Sequence, residues 1–131
     1  MVVGPPRTAL VSAARVLADA VIAGHDRAYA AALAWVDQAE ARPLCRTHGD
    51  VPLGHPTLRA HLAACLRRIN DSGGSAARIE RLLLLAEPPS LDLGEITDKG
   101  YVNQRAVLDR RADAVRRLFA EPPPGEVITP A

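Results

Sequence analysis

Four consecutive leucines, Leu82 to Leu85, sit between Arg81 and Ala86 and are stopped by Pro88 and Pro89. The run is far too short to cross a membrane, which takes about twenty apolar residues. It also lacks the alternation of a strand with one wet face. A run this brief and continuous suits a central strand buried on both faces, and such a strand needs other elements above and below it. The expected fold is therefore α+β: a small three-stranded sheet covered by helices. A chain of 131 residues is enough for one such domain. Aromatic residues make up only 3%, so the core must be built from Leu, Val, Ile and Ala.

The remaining elements follow from local pattern. Pro5 and Pro6 suit the first turn of a helix, where a missing N–H costs nothing, and Leu10, Val11, Ala14 and Leu17 then recur at helical spacing. Ala20–Gly24 is a short apolar run ended by glycine and reads as a buried strand. Gly24-His25-Asp26-Arg27 reads as a turn. Tyr29–Val36 fits its antiparallel partner, although the alanines inside it also suit a helix. Asp37–Leu53 is mixed and polar, punctuated by Pro43, Gly49 and Pro52, and reads as irregular. A helix begins at Pro56 with Leu58, Leu62, Leu66 and Ile69 on its apolar face, and Asn70-Asp71-Ser72-Gly73-Gly74 stops it. After the leucine strand comes a loop, Ser90–Tyr101. A last helix starts near Asn103, a good N-cap, with Val107, Leu108, Val115, Leu118 and Phe119 facing inward. Residues 1–120 form the domain, and residues 121–131, with four prolines, form an extended or mobile tail.

Charge narrows the chemistry. The formal net charge is +1 with both signs interspersed, which argues against a dedicated nucleic-acid binder. Two cysteines are too few for a disulfide framework. No signal peptide or membrane span is legible, so a cytoplasmic setting is the default expectation. Among the cationic residues there are fifteen arginines and one lysine, Lys99. Arginine serves wherever a surface cation is needed. The compact, mobile ammonium is kept at one place, and the two side chains differ in geometry and hydration.

The block RLLLLAEPPSLDLGEITDKGYVNQRAVLDRR, residues 81–111, resembles the end of acyl-adenylate-forming, AMP-binding enzymes, in which a strand leads to a lysine-bearing loop and a closing helix. Gly94 to Arg105 (GEITDKGYVNQR) is most similar to feruloyl-CoA synthases, and Gly4 to Asp26 also resembles the opening of their C-terminal lid domain. The resemblance implies the lid of an ATP-dependent aryl- or acyl-CoA ligase, inert without its larger N-terminal domain. The hinge to that domain is expected before Met1. It implies a carboxylic acid, ATP, Mg2+ and CoA as partners, bound mainly on the N-terminal domain, and a homodimer only as a property of the full enzyme. It assigns the adenylation lysine to Lys99 and loop roles near the nucleotide and CoA to Gly100 and Gly4. The wider superfamily carries glutamates after its first-loop glycine; here the stretch is Gly4-Pro5-Pro6-Arg7-Thr8-Ala9-Leu10, without them. Tyr101, Asn103 and Arg105 are expected to shape the loop and start the helix.

Two other readings stand beside it: a stand-alone α+β interaction module in which Lys99 is incidental, and the lid of an adenylating enzyme that loads a carrier protein. Cys45, His48, His61 and Cys65 have the spacing C-x2-H-x12-H-x3-C and the ligand types of a zinc site. The plainer reading is a core Cys65, a loop Cys45 and exposed histidines, so no metal site is expected. Ser72-Gly73-Gly74-Ser75 lacks the lysine of a phosphate loop and reads as a helix stop. His25 is expected in a turn. Arg110-Arg111 and Arg116-Arg117 are expected on a solvated face, with phosphate binding as the alternative.

Overall fold

The computed structural model describes residues 10–12, 14–24, 29–72, 79–97, 99–100 and 102–130. Strand β1 (Leu17–Ala23) pairs antiparallel with β2 (Ala30–Val36), and β2 pairs parallel with β3 (Ile79–Leu84). The sheet order is β1-β2-β3. The α+β expectation of a three-stranded sheet under helices is met. The alanine-rich Tyr29–Val36 segment is a strand despite its helix propensity, because it is the central strand and gains a ladder on each side.

The leucine strand is not central, as its composition suggested, but at an edge. It reads as continuous apolar sequence because both its faces are covered. Ala20, Ile22, Ala32, Ala34, Leu82 and Leu84 share one core with Leu58, Leu62, Cys65, Leu66 and Ile69 of the helix Pro56–Ser72. Val21, Ala23, Ala31, Leu33, Trp35 and Leu83 share the other with Val107, Ala114, Leu118 and Phe119. The period of two along each strand thus sorts the side chains into two dry layers. Small alanines in β2 let both helical layers approach the sheet closely.

Helices are numbered α1 (Gln38–Cys45), α2 (Pro56–Ser72), α3 (Gln104–Arg110) and α4 (Ala112–Leu118). The first of these lies where an irregular segment was expected. It buries only Ala41, with Leu44 and Cys45 packed partly beside it, and Pro43 inside it together with the polar residues around it masks so short a stripe. Its evidence is a cap: the Asp37 carboxylate accepts from Ala39 N–H at 3.0 Å. Helix α2 ends at Ser72, inside the stretch expected to stop it, and Asn70 has a second role there. Asn70 is buried, donates from Nδ2 to the Ile79 carbonyl at 2.9 Å and accepts from Ile79 N–H at 2.7 Å, which fastens the helix to the start of β3. The single closing helix expected after Asn103 is two, parted at Arg111, whose φ and ψ are −109° and 40°. The proline-rich tail is docked rather than free: Val127 and Ile128 are buried, and Ile128 bridges to Leu82. Residues 10–12 are helical, in line with the expected first helix, but Ala14–Val16 are not, and Leu17, expected on that helix, opens β1; residues 1–9 and 13 lie outside the described residues. No helix among the described residues is long and apolar enough to cross a membrane.

Candidate functional site: the Lys99 turn

Between β3 and α3 the chain makes two successive tight structures. Ser90–Glu95 closes on itself: Glu95 N–H donates to the Ser90 carbonyl at 2.8 Å, and Ser90 N–H donates to the Glu95 carboxylate at 2.9 Å. Ile96 and Val102 then form an antiparallel bridge, and Gly100 N–H donates to the Thr97 carbonyl at 2.9 Å. Gly100 sits at φ +86°, a left-handed conformation that glycine adopts without a Cβ penalty. Lys99 is thereby placed at the tip of a miniature hairpin. It is exposed, and among the described residues nothing pairs with it.

The base of the hairpin is fixed on three sides. Asn103 N–H donates to the Glu95 carbonyl at 2.8 Å, closing the hairpin from below. The Asn103 side chain caps α3 by accepting from Ala106 N–H at 3.1 Å. Gln104 Oε1 accepts from Ile22 N–H at 3.0 Å, which ties the start of α3 to the outer edge of β1. A mobile cation is therefore carried on a rigid mount, an arrangement suited to delivering charge to another surface.

The strongest element of the mount is an ion pair. Glu95, only 2% exposed, receives Arg111 Nε at 2.9 Å and Nη2 at 3.1 Å. Arg111 also donates to the Pro88 carbonyl at 3.0 Å and lies over the Trp35 ring, 5.6 Å from its centroid. Trp35 in turn donates its indole N–H to the Glu87 carbonyl at 2.7 Å. The Arg111 hydrogen bonds hold the Glu95 carboxyl below its ordinary range; burial opposes this, and the Ser90 amide reinforces it. Arg111 is thus a half-buried brace and not part of a solvated face. Arg110 is exposed; Arg116 pairs with Asp113, and Arg117 pairs with Glu126 at 3.2 Å. Sequence reasoning gave Glu95 and Arg111 no such role. They stand in different elements, sixteen residues apart, and only the fold joins them.

The other sequence candidates divide. Gly100 serves the turn, while Gly4, Asp98, Tyr101, His25 and Gly73-Gly74-Ser75 lie outside the described residues. Arg105 is exposed on α3. His61 Nε2 lies 3.7 Å from Cys65 Sγ, which also receives Arg68 Nη2 at 3.2 Å. Among the described residues, no three His, Cys, Asp or Glu side chains are grouped to hold a metal ion. Leu91 and Leu93, beside the hairpin, are the large apolar side chains left exposed among the described residues.

The family model described as "AMP-binding enzyme C-terminal domain" matches residues 4–122. Comparison with curated proteins and with solved structures finds no match.

Proposed function

Because this chain belongs to the AMP-binding enzyme C-terminal domain family, whose members accompany an N-terminal domain, we propose that it is the closing lid of an ATP-dependent acyl-CoA ligase and that Lys99 is its adenylation lysine. The observation that carries this reading is the exposed Lys99, with no partner among the described residues, in a turn whose base is locked by the Glu95–Arg111 pair.

The reaction would need such a cation. A carboxylate must meet the α-phosphate of MgATP, two anions brought together, with charge redistributing over the oxygens around phosphorus. Catalysis of this kind rests mainly on positioning and electrostatic stabilisation. The Lys99 ammonium supplies a point charge on a long stem. The hairpin fixes where that stem begins, and the Glu95–Arg111 brace keeps the hairpin from yielding when the lid closes. CoA thiol then displaces AMP in the second half-reaction. The acid is proposed to be aromatic, on the resemblance of Gly94–Arg105 to feruloyl-CoA synthases. Gly4 is proposed to lie near CoA.

Lys99 is the single lysine of this chain, so a lysine adduct on a peptide from these residues is assigned to it without ambiguity. In the two-domain enzyme, MgATP with a non-reactive acid analogue should slow labelling of Lys99 at least tenfold, read by peptide mass spectrometry. Labelling at the same rate with and without these ligands would overturn the assignment.

A further inference from the structure

Two leucines stand out of the surface beside the Lys99 turn. Leu91 is 61% exposed and Leu93 53%, and no other large apolar side chain among the described residues is left so open. The turn that bears them holds them there. Gly94 N–H donates to the Leu91 carbonyl at 3.1 Å, and Glu95 N–H to the Ser90 carbonyl at 2.8 Å. Leu93 N–H donates to the Ser90 hydroxyl at 3.3 Å, and Ser90 N–H to the Glu95 carboxylate at 2.9 Å. The turn is closed by its own polar groups, while two side chains that gain most from burial face water. Single exposed leucines need no explanation, but a neighbouring pair on a stiff turn has the form of a contact surface. A stiff mount also lowers the ordering cost of docking.

The place of the pair says which surface it meets. Glu95 belongs to both turns. Its carboxylate and N–H close the leucine turn, its carbonyl receives Asn103 N–H at 2.8 Å at the base of the Lys99 turn, and Arg111 clamps its side chain from α3–α4. Leu91, Leu93 and Lys99 are therefore carried on one body, and whatever the leucines rest on fixes where the ammonium can reach. The family to which the chain belongs accompanies an N-terminal domain. That domain is the surface that Lys99 has to approach in the reading above.

We propose that Leu91 and Leu93 dock on an apolar surface of the N-terminal domain of the same enzyme as the lid closes for adenylation, and that this contact aims Lys99. The inference rests on the Lys99 reading for the step that the contact serves. The two leucines are positioning residues: they touch no reacting atom and act through the turn they share with Glu95.

Hydroxyl-radical footprinting of the two-domain enzyme tests the contact, with oxidation of Leu91 and Leu93 read by peptide mass spectrometry. MgATP with a non-reactive acid analogue should slow oxidation of both leucines by roughly threefold or more, because a docked apolar anchor is shut off from water. Unchanged oxidation would overturn the proposal, even where the same ligands protect Lys99 from amine labelling. Protected leucines beside an unprotected Lys99 would uphold the docking contact and overturn the Lys99 assignment alone. In the 131-residue chain by itself, oxidation of both leucines should not vary with protein concentration. Protection that rises with concentration would mean that a second copy covers them, and would overturn the proposal. Kinetics supply the second arm. Both side chains are exposed, so Leu91→Ser/Leu93→Ser leaves the core intact. In the two-domain enzyme this variant should slow adenylation at least tenfold, since a small misplacement of a catalytic group is costly. Thioester formation from pre-made acyl-adenylate should stay within a few-fold, and Leu91→Met/Leu93→Met should restore most of the adenylation rate. No loss of adenylation, or an equal loss in both steps, would overturn the proposal.

Discussion

Lys99 and Glu95, four residues apart, stand in opposite settings: one is exposed at a turn, the other is buried and clasped at its base. The clasp makes stability depend on pH in a definite direction. The Glu95 carboxyl is lowered in the folded chain, so its contribution is complete above the ordinary carboxylate value of about 4.3. It is lost as pH falls below that value toward the folded one. Glu95→Gln should flatten this part of the stability–pH curve, followed by urea denaturation from pH 6 to pH 3. At neutral pH, Arg111→Met should cost about 3 kcal/mol, because it leaves a buried carboxylate without its partner. Two left-handed glycines give a sharper contrast. A Cβ on Gly100 would meet nothing, so Gly100→Ala carries only the backbone penalty of about 1 kcal/mol. A Cβ on Gly24, at φ +98°, would lie 2.6 Å from the Tyr29 carbonyl oxygen and 3.0 Å from Phe119 Cζ. Gly24→Ala should therefore cost roughly 2 kcal/mol or more, and thermal unfolding of the two variants should rank them in that order.

Among the elements, the short helix α3 depends on its ends more than on its length. It has seven residues and buries only Val107 completely. Removing the Asn103 cap with Asn103→Ala should cost about 1 kcal/mol and loosen the hairpin below Lys99, since Asn103 also closes that hairpin through its backbone. Faster amide exchange at Gly100 in that variant is the measurement that checks it. The same scale explains what the sequence made legible. The three strands were readable because each contains an apolar run buried on two faces, although β1 starts earlier, at Leu17, and β3 earlier, at Ile79, than those runs. Their order was not, because Leu82–Leu85 look alike at the centre of a sheet and at an edge sealed by Ile128. Helix α1 escaped notice because its apolar face, Ala41, Leu44 and Cys45, spans barely one turn and is interrupted by Pro43. The end of α2 was legible in Asn70–Gly74, but the clamp was not, because only the position of Ile79 gives the Asn70 side chain its partners.

For the whole molecule, the two dry layers and the docked tail make a rigid body that presents one hairpin outward. Lys99 could be singled out beforehand because it is the lone lysine in an arginine-rich chain and stands in a block resembling adenylate-forming enzymes. The brace that positions it could not, because Glu95 and Arg111 meet only after α3 and α4 have packed on the sheet. If Lys99 is the adenylation lysine, the two half-reactions should part. Lys99 should serve the joining of carboxylate to AMP and should matter little for the later attack by CoA. The most direct measurement compares the two-domain enzyme with its Lys99→Ala variant in both steps, following acid-dependent pyrophosphate release and thioester formation from pre-made acyl-adenylate. The first should fall by about a hundredfold or more, roughly 3 kcal/mol of transition-state stabilisation, and the second should stay within a few-fold of the unmodified enzyme. Equal adenylation by both proteins, or an equal loss in both steps, would contradict that role.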